Sequence, residues 1–393
     1  MSRLEIRSFL PPISAGLLTA FVGFASSFAV VLKGLTAVGA SDAQAASGLT
    51  VLAIAMGFAG IALSAWSRMP ISSAWSTPGA ALLAATGASA GGFREAVGAF
   101  ILVGCLLAAT GLLRPLGRIV KLIPGPLANA MLAGVLFGLC LMPVRALIVA
   151  PGQTLPIVFS WLIVFRWSRV YATPVAAVVA VVVIGLSPST LAVHSVSLVP
   201  NLVFVTPKFS LAATFSLAIP LFIVTMGSQN VPGLAVLAAY GYRPSAGPLL
   251  AATGALTVVA APFGGHAVNL SAITAALCAS PDASPDPGKR WIAAVSAGIV
   301  YVVFGLLAGV VTAFVAGAPV VAEAVAGIAL LGPFGSAMHN ALADTREREA
   351  SIITFLVSAS GVSLLGIGGA FWGLIAGVCV LAFTRAGNAG QAP

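Results

Sequence analysis

Apolar runs alternate with short charged or Gly/Pro-rich breaks along the whole chain. They lie at about 12–33, 48–66, 70–90, 95–113, 124–142, 145–166, 171–187, 209–240, 246–279, 291–315, 319–341, 350–368 and 370–385. A helix crossing a bilayer needs about 20 residues, so each run predicts at least one spanning segment. The run 246–279 is interrupted by Pro262, Gly264 and Gly265 and reads as two segments with an unwound stretch between them. Fourteen segments result, and the polar interval 187–208 divides them seven and seven. The expected fold is therefore an all-α polytopic membrane protein.

Composition agrees. Of 393 residues only 27 are charged, or 7%, and 60% are hydrophobic, whereas a soluble domain carries about 25% charge. A secreted enzyme, a nucleic-acid binder and a disordered scaffold are excluded. The net charge of +9 does not restore nucleic acid as a partner, because the basic residues are scattered singly and phosphate binding needs them clustered. Cys105, Cys140, Cys278 and Cys379 all lie in apolar runs without metal-ligand spacing, so neither a disulfide frame nor a metal site is expected. No cofactor is implied, and no Walker lysine motif is present, so transport would run on a gradient and not on ATP. The stretch from Pro11 to Val31 is too long for a signal-peptide core and is expected to remain as the first span.

The two halves resemble each other. Pro70-Ile-Ser-Ser-Ala-Trp-Ser-Thr77-Pro-Gly-Ala80 aligns with Pro262-Phe-Gly-Gly-His-Ala-Val-Asn269-Leu-Ser-Ala272 at an offset of 192. Pro126, Ala133 and Gly134 match Pro319, Ala326 and Gly327 at 193, and Gly111-Leu-Leu matches Gly305-Leu-Leu at 194. A nearly constant offset close to half the length indicates duplication, with a first repeat over 1–190, a periplasmic connector over 191–208 and a second repeat over 209–393. Seven spans per repeat make the two lie inverted. With both termini cytoplasmic, 14 of the 18 basic residues fall inside and only Lys33, Arg94, Arg145 and Lys208 outside, as the positive-inside rule requires. Both termini are therefore expected on the cytoplasmic side of the membrane.

Inverted repeats with interrupted helices point to a secondary transporter whose site lies at the midplane. Two half-helices, each preceded by a short extended stretch, are expected after Met69–Ser76 and after Ala261–Val268. Thr77, with Pro78 behind it, and Asn269 are the expected caps. Non-helical backbone at membrane depth should line a cavity, and two facing N-termini favour an anion such as a carboxylate. Gln229 and Asn230 place two amides inside an apolar run. They act either as interhelical hydrogen-bonding glue or as neutral substrate donors. Ser26 and Ser27 hold the roughly corresponding place in the first span and are weaker candidates, because serine can bond back to its own helix. Glu323 is the sole acidic residue within a run and a candidate proton carrier. His266 either donates to an anion, titrates or serves as a structural bond to a carbonyl.

The segments Pro70-Ile-Ser-Ser-Ala-Trp-Ser-Thr-Pro-Gly-Ala-Ala-Leu-Leu, Ile123-Pro-Gly-Pro-Leu-Ala-Asn-Ala-Met-Leu-Ala-Gly, Ser228-Gln-Asn-Val-Pro-Gly-Leu-Ala-Val-Leu and Ala261-Pro-Phe-Gly-Gly-His-Ala-Val-Asn-Leu resemble the bacterial benzoate:proton symporters of the BenE type over nearly the whole chain. That family is distantly similar to uracil permeases and anion exchangers. The resemblance implies a core domain from about 1–118 and 209–315, and a gate domain from about 119–190 and 316–393. Uracil permeases carry carboxylates on the eighth and tenth segments where this chain has Gln229 and Asn269, a departure that suits an anionic substrate.

The expected function is proton-coupled uptake of benzoate or a related aromatic carboxylate by an elevator-like mechanism, without enzymatic activity. Trp75, Ser76, Thr77, Gln229, Asn230, His266, Asn269 and Ser26 form the expected substrate site, and Glu323 and His266 are the proton-coupling candidates. The partners are the substrate, the proton and the lipid bilayer, with a homodimer left open. The alternatives are a carrier of another small anion or a nucleobase, and a non-transporting membrane scaffold.

Overall fold

A computed structural model describes residues 3–88, 91–113, 124–186, 201–310, 312, 318–364 and 367–389. Arg114, Arg118, Lys121 and the connector residues 191–200, His194 among them, lie outside the described residues. The chain begins with α1 (Arg3–Ala25), α2 (Phe28–Ala37), α3 (Asp42–Ser67), strand β1 (Ser73–Trp75), α4 (Thr77–Thr86) and α5 (Phe93–Leu112). There follow α6 (Gly125–Cys140), α7 (Met142–Val149), α8 (Pro151–Trp167) and α9 (Arg169–Leu186). The remainder comprises α10 (Leu211–Ala239), α11 (Ala246–Ala260), β2 (Val268–Leu270), α12 (Ile273–Ala279), α13 (Trp291–Leu306), α14 (Pro319–Leu342), α15 (Arg348–Ala359) and α16 (Gly369–Ala389).

Among the described residues, eight helices are long and apolar enough to cross a membrane. Large apolar side chains such as Phe58, Ile148, Phe159, Val182 and Phe383 stand exposed on the outside, where only hydrocarbon can accept them. The chain is an integral multi-pass membrane protein.

Local sequence sets the breaks. The first apolar run is not one helix, since α1 ends at Ala25 and α2 restarts after Ser26 and Ser27. Ser41 and Gln44 form a capping box that opens α3. In α10 the missing N–H groups of Pro220 and Pro232 leave carbonyls one turn back without partners. Five-residue π turns over Thr214–Ala218 and Met226–Asn230 lie immediately before these positions, widening the helix where its ladder is interrupted.

At the centre β1 and β2 cross antiparallel, with Ser73 opposite Leu270, Ala74 opposite Asn269 and Trp75 opposite Val268. The pairing is extended by Ser76 N–H to the Ala267 carbonyl (3.1 Å) and Ser271 N–H to the Ser72 carbonyl (3.0 Å). These bonds satisfy backbone that hydrocarbon would leave unpaired. Around the crossing, α3 packs on α13 and α5 on α11. Both contacts are made by glycine: a Cβ on Gly298 would lie 2.6 Å from the Gly57 carbonyl oxygen, and one on Gly254 only 2.3 Å from the Ala108 nitrogen. Such close backbone approach is how small residues hold helices together in lipid.

Candidate functional site

The first half-helix, α4, starts at Ser76. Its extended backbone (φ −78, ψ 90) leaves Oγ free to accept the Gly79 N–H at 3.1 Å, so Ser76 is the cap and the expectation for Thr77 is corrected. The Ser76 hydroxyl also pairs with Thr225 Oγ1 at 2.9 Å, fixing α4 to α10. Thr77 is the first helical residue. Its half-buried hydroxyl has no hydrogen-bond partner among the described residues.

Gln229 lies four residues after Thr225 on α10, and residues so spaced share a helix face. Its half-buried amide likewise has no partner among the described residues. Two polar groups without partners among the described residues therefore lie on the elements joined by the Ser76–Thr225 contact, at a helix end that carries partial positive charge.

The second half-helix differs. Asn269 is not its cap: it lies within β2 opposite Ala74, fully buried, and its amide donates to the Leu270 carbonyl at 2.7 Å. Ser271 Oγ accepts the Thr274 N–H instead, at 3.3 Å, and α12 runs for only seven residues. Asn230 supports the same strand, its Oδ1 accepting the Leu270 N–H at 2.9 Å while its amide donates to Met226 Sδ at 3.4 Å. Of the two roles open to it, Asn230 thus makes the scaffold bonds. His266 is fully buried, with Nε2 2.9 Å from the Ser76 carbonyl oxygen and its ring edge-on to Phe100 of α5.

Trp75 is buried and donates its indole N–H to Ser27 Oγ at 2.9 Å, bracing the α1–α2 break. Ser26 bonds back to the Gly23 carbonyl at 3.3 Å, its ordinary helical alternative. Phe24 packs at a tilt against both Trp75 and Phe304, with centroids 5.2 and 5.0 Å apart. On the far side of Phe24 opens an apolar cavity of about 360 Å³, walled by Phe28, Val181, Ile184, Phe304 and Val325 among others.

Glu323 is partly exposed and ion-paired with Lys33, joining α14 to α2. A second carboxyl escaped the sequence reading. Glu95, in the first turn of α5, is buried and pairs with Lys208 at 3.1 Å.

A half-helix opening on neutral polar groups without partners among the described residues suits a small anion. The family model described as benzoate membrane transport protein matches residues 7–383. The chain belongs to this family. It is 42% identical over 378 residues to the inner membrane protein YdcO of Escherichia coli, covering 94% of this chain and 95% of that one. It is 32% identical over 371 residues to the benzoate membrane transport protein of Acinetobacter baylyi, covering 93% and 92%. In structure it is similar to the transmembrane domain of a cyanobacterial bicarbonate transporter, BicA, with a TM-score of 0.60 at 16% identity, covering 95% and 98%. That likeness carries the fold.

As a member of the benzoate membrane transport family, the chain is a membrane transporter. Within its site, sequence reasoning missed Thr225, although a threonine four residues before Gln229 faces the same way. Phe24 and Phe304 were missed because their meeting depends on a contact between α1 and α13 that no local pattern encodes.

Proposed function

We propose that this transporter takes up benzoate or a related aromatic carboxylate together with a proton, across a bacterial inner membrane with both termini cytoplasmic. The observation that carries the reading is a pair of polar groups without a hydrogen-bond partner among the described residues, the Thr77 hydroxyl next to Ser76 and the Gln229 amide four residues after Thr225, on the two elements that the Ser76–Thr225 contact joins. The carboxylate binds there, at the N-terminus of the ten-residue α4, which supplies the positive end of the helix dipole. No fixed carboxylate repels it: α4, α10 and β1 contain no acidic residue. Co-transport of a proton is required because an anion entering an inside-negative cell works against about 2.3 kcal/mol per 100 mV.

The antiparallel crossing of β1 and β2, and the matched pairings α3 with α13 and α5 with α11, support two inverted seven-segment repeats. On this reading α1 to α5 and α10 to α13 form the core, and α6 to α9 and α14 to α16 the gate. The contacts α2–α14, α4–α6 and α1–α9 are the surfaces that slide as the core carries substrate across.

Uptake of labelled benzoate into proteoliposomes with an imposed inward proton gradient tests the proposal. Uptake above the no-gradient control, competed by substituted benzoates and not by uracil, is expected. No uptake by folded protein in either gradient direction would overturn it.

A further inference from the structure

Among the described residues near the crossing and the α2–α14 contact, the two carboxyls are already paired, Glu323 with Lys33 and Glu95 with Lys208, which leaves one imidazole. It belongs to His266, which lies between the positive-φ turn at Gly264 and β2. A carbonyl oxygen can only accept, so the ring nitrogen 2.9 Å from the Ser76 carbonyl oxygen, Nε2, carries the hydrogen. A neutral imidazole has one N–H. Nδ1 is therefore a bare basic lone pair, fully buried and without a hydrogen-bond partner among the described residues.

We infer that Nδ1 of His266 is the site at which the co-transported proton rides, and that the bound carboxylate is its counter-charge. The inference rests on the aromatic-anion site proposed above. In the empty protein an imidazolium here would be a buried, uncompensated charge. Phe100 is the ring neighbour from α5, whose charged residues are Arg94 and Glu95 in its first turn, with Glu95 held by Lys208 of the connecting segment. From α3, which touches Gly264 through Gly48, the acidic residue is Asp42, exposed at the helix start. The elements α4, α10 and α11 have no charged residue. An anion at Thr77 adds a negative charge one residue from the carbonyl that His266 already holds. A proton from the outer solution then bonds to Nδ1, making the ring cationic. Anion and cation stabilise each other, neither loads well alone, and the pair crosses as a neutral unit. On the inner side Nδ1 returns the proton to water as the carboxylate leaves.

Benzoate titrated calorimetrically into the purified full chain at pH 7.5, in two buffers of different ionisation enthalpy, reads protons taken up per anion bound. About one is expected, by linkage. Benzoate binding with no proton uptake overturns this inference and leaves the proposed substrate standing, whereas absence of benzoate binding overturns both. In proteoliposomes, His266→Gln keeps a donor for the Ser76 carbonyl and removes the basic nitrogen. The ratio of gradient-driven accumulation to benzoate counterflow should fall at least tenfold and lose its dependence on pH. A ratio equal to that of the native chain would also overturn it.

Discussion

The two half-helices meet across one pair of strands, yet they present different chemistry. At α4 the cap is made by Ser76, and Thr77 and Gln229 remain available. At α12 the asparagines serve the crossing itself: Asn269 and Asn230 both bond the backbone of Leu270, Ser271 makes only a long cap bond, and the one buried acceptor left over is Asn269 Oδ1, which has no partner among the described residues. Duplication supplies two similar thresholds, and side-chain chemistry makes one a binding end and the other a scaffold that carries a buried base, His266.

Packing gives the largest contrast. A Cβ on Gly34 would lie 2.3 Å from the Ala80 carbonyl oxygen, where α2 presses on α4, while one on Gly233 meets Leu270 and Ser271 no closer than 3.1 Å. Gly34→Val should cost about 3 kcal/mol or more by overpacking and abolish the folded transporter in a detergent melting assay. Gly233→Ala should lower Tm by only a few degrees; equal losses would erase the difference between the two ends.

Next in size is ligand binding. A hydrogen bond to a charged group contributes about 1.5–3 kcal/mol. Thr77→Val or Gln229→Leu should therefore weaken benzoate binding by roughly ten- to hundredfold, with Tm nearly unchanged. The mirror experiment is Asn230→Ala. It leaves the Leu270 N–H unsatisfied at a cost of about 1–3 kcal/mol, so it should lower Tm and raise Kd far less than Gln229→Leu does. The smallest contrast is between caps. Ser76→Ala should cost about 1 kcal/mol, and Ser271→Ala a few tenths, since its bond is longer.

Much of this architecture was legible in the chain. Run lengths matched the eight long apolar helices among the described residues, Pro262, Gly264 and Gly265 marked the second break, and the alignment of 70–80 with 262–272 found the first extended stretch, while the second, expected over Ala261–Val268, is shifted to Val268–Leu270 with its half-helix starting at Ile273. The caps were displaced because strand pairing decides them: Asn269 is drawn into β2 by its partner Ala74, a long-range contact that overrides its local capping preference. Glu323 read as an isolated carboxyl because Lys33 lies 290 residues away. The bare nitrogen of His266 depends on the direction of one ring toward one carbonyl, which no sequence pattern contains.

The central claim is that an aromatic carboxylate binds at the first half-helix. Equilibrium binding of labelled benzoate to the purified chain, compared with Gln229→Leu and Asn230→Ala at matched folded concentration, tests it most directly. The account predicts a Kd at least tenfold weaker for Gln229→Leu and within about threefold of the native value for Asn230→Ala. Equal affinity in the native chain and Gln229→Leu would contradict it.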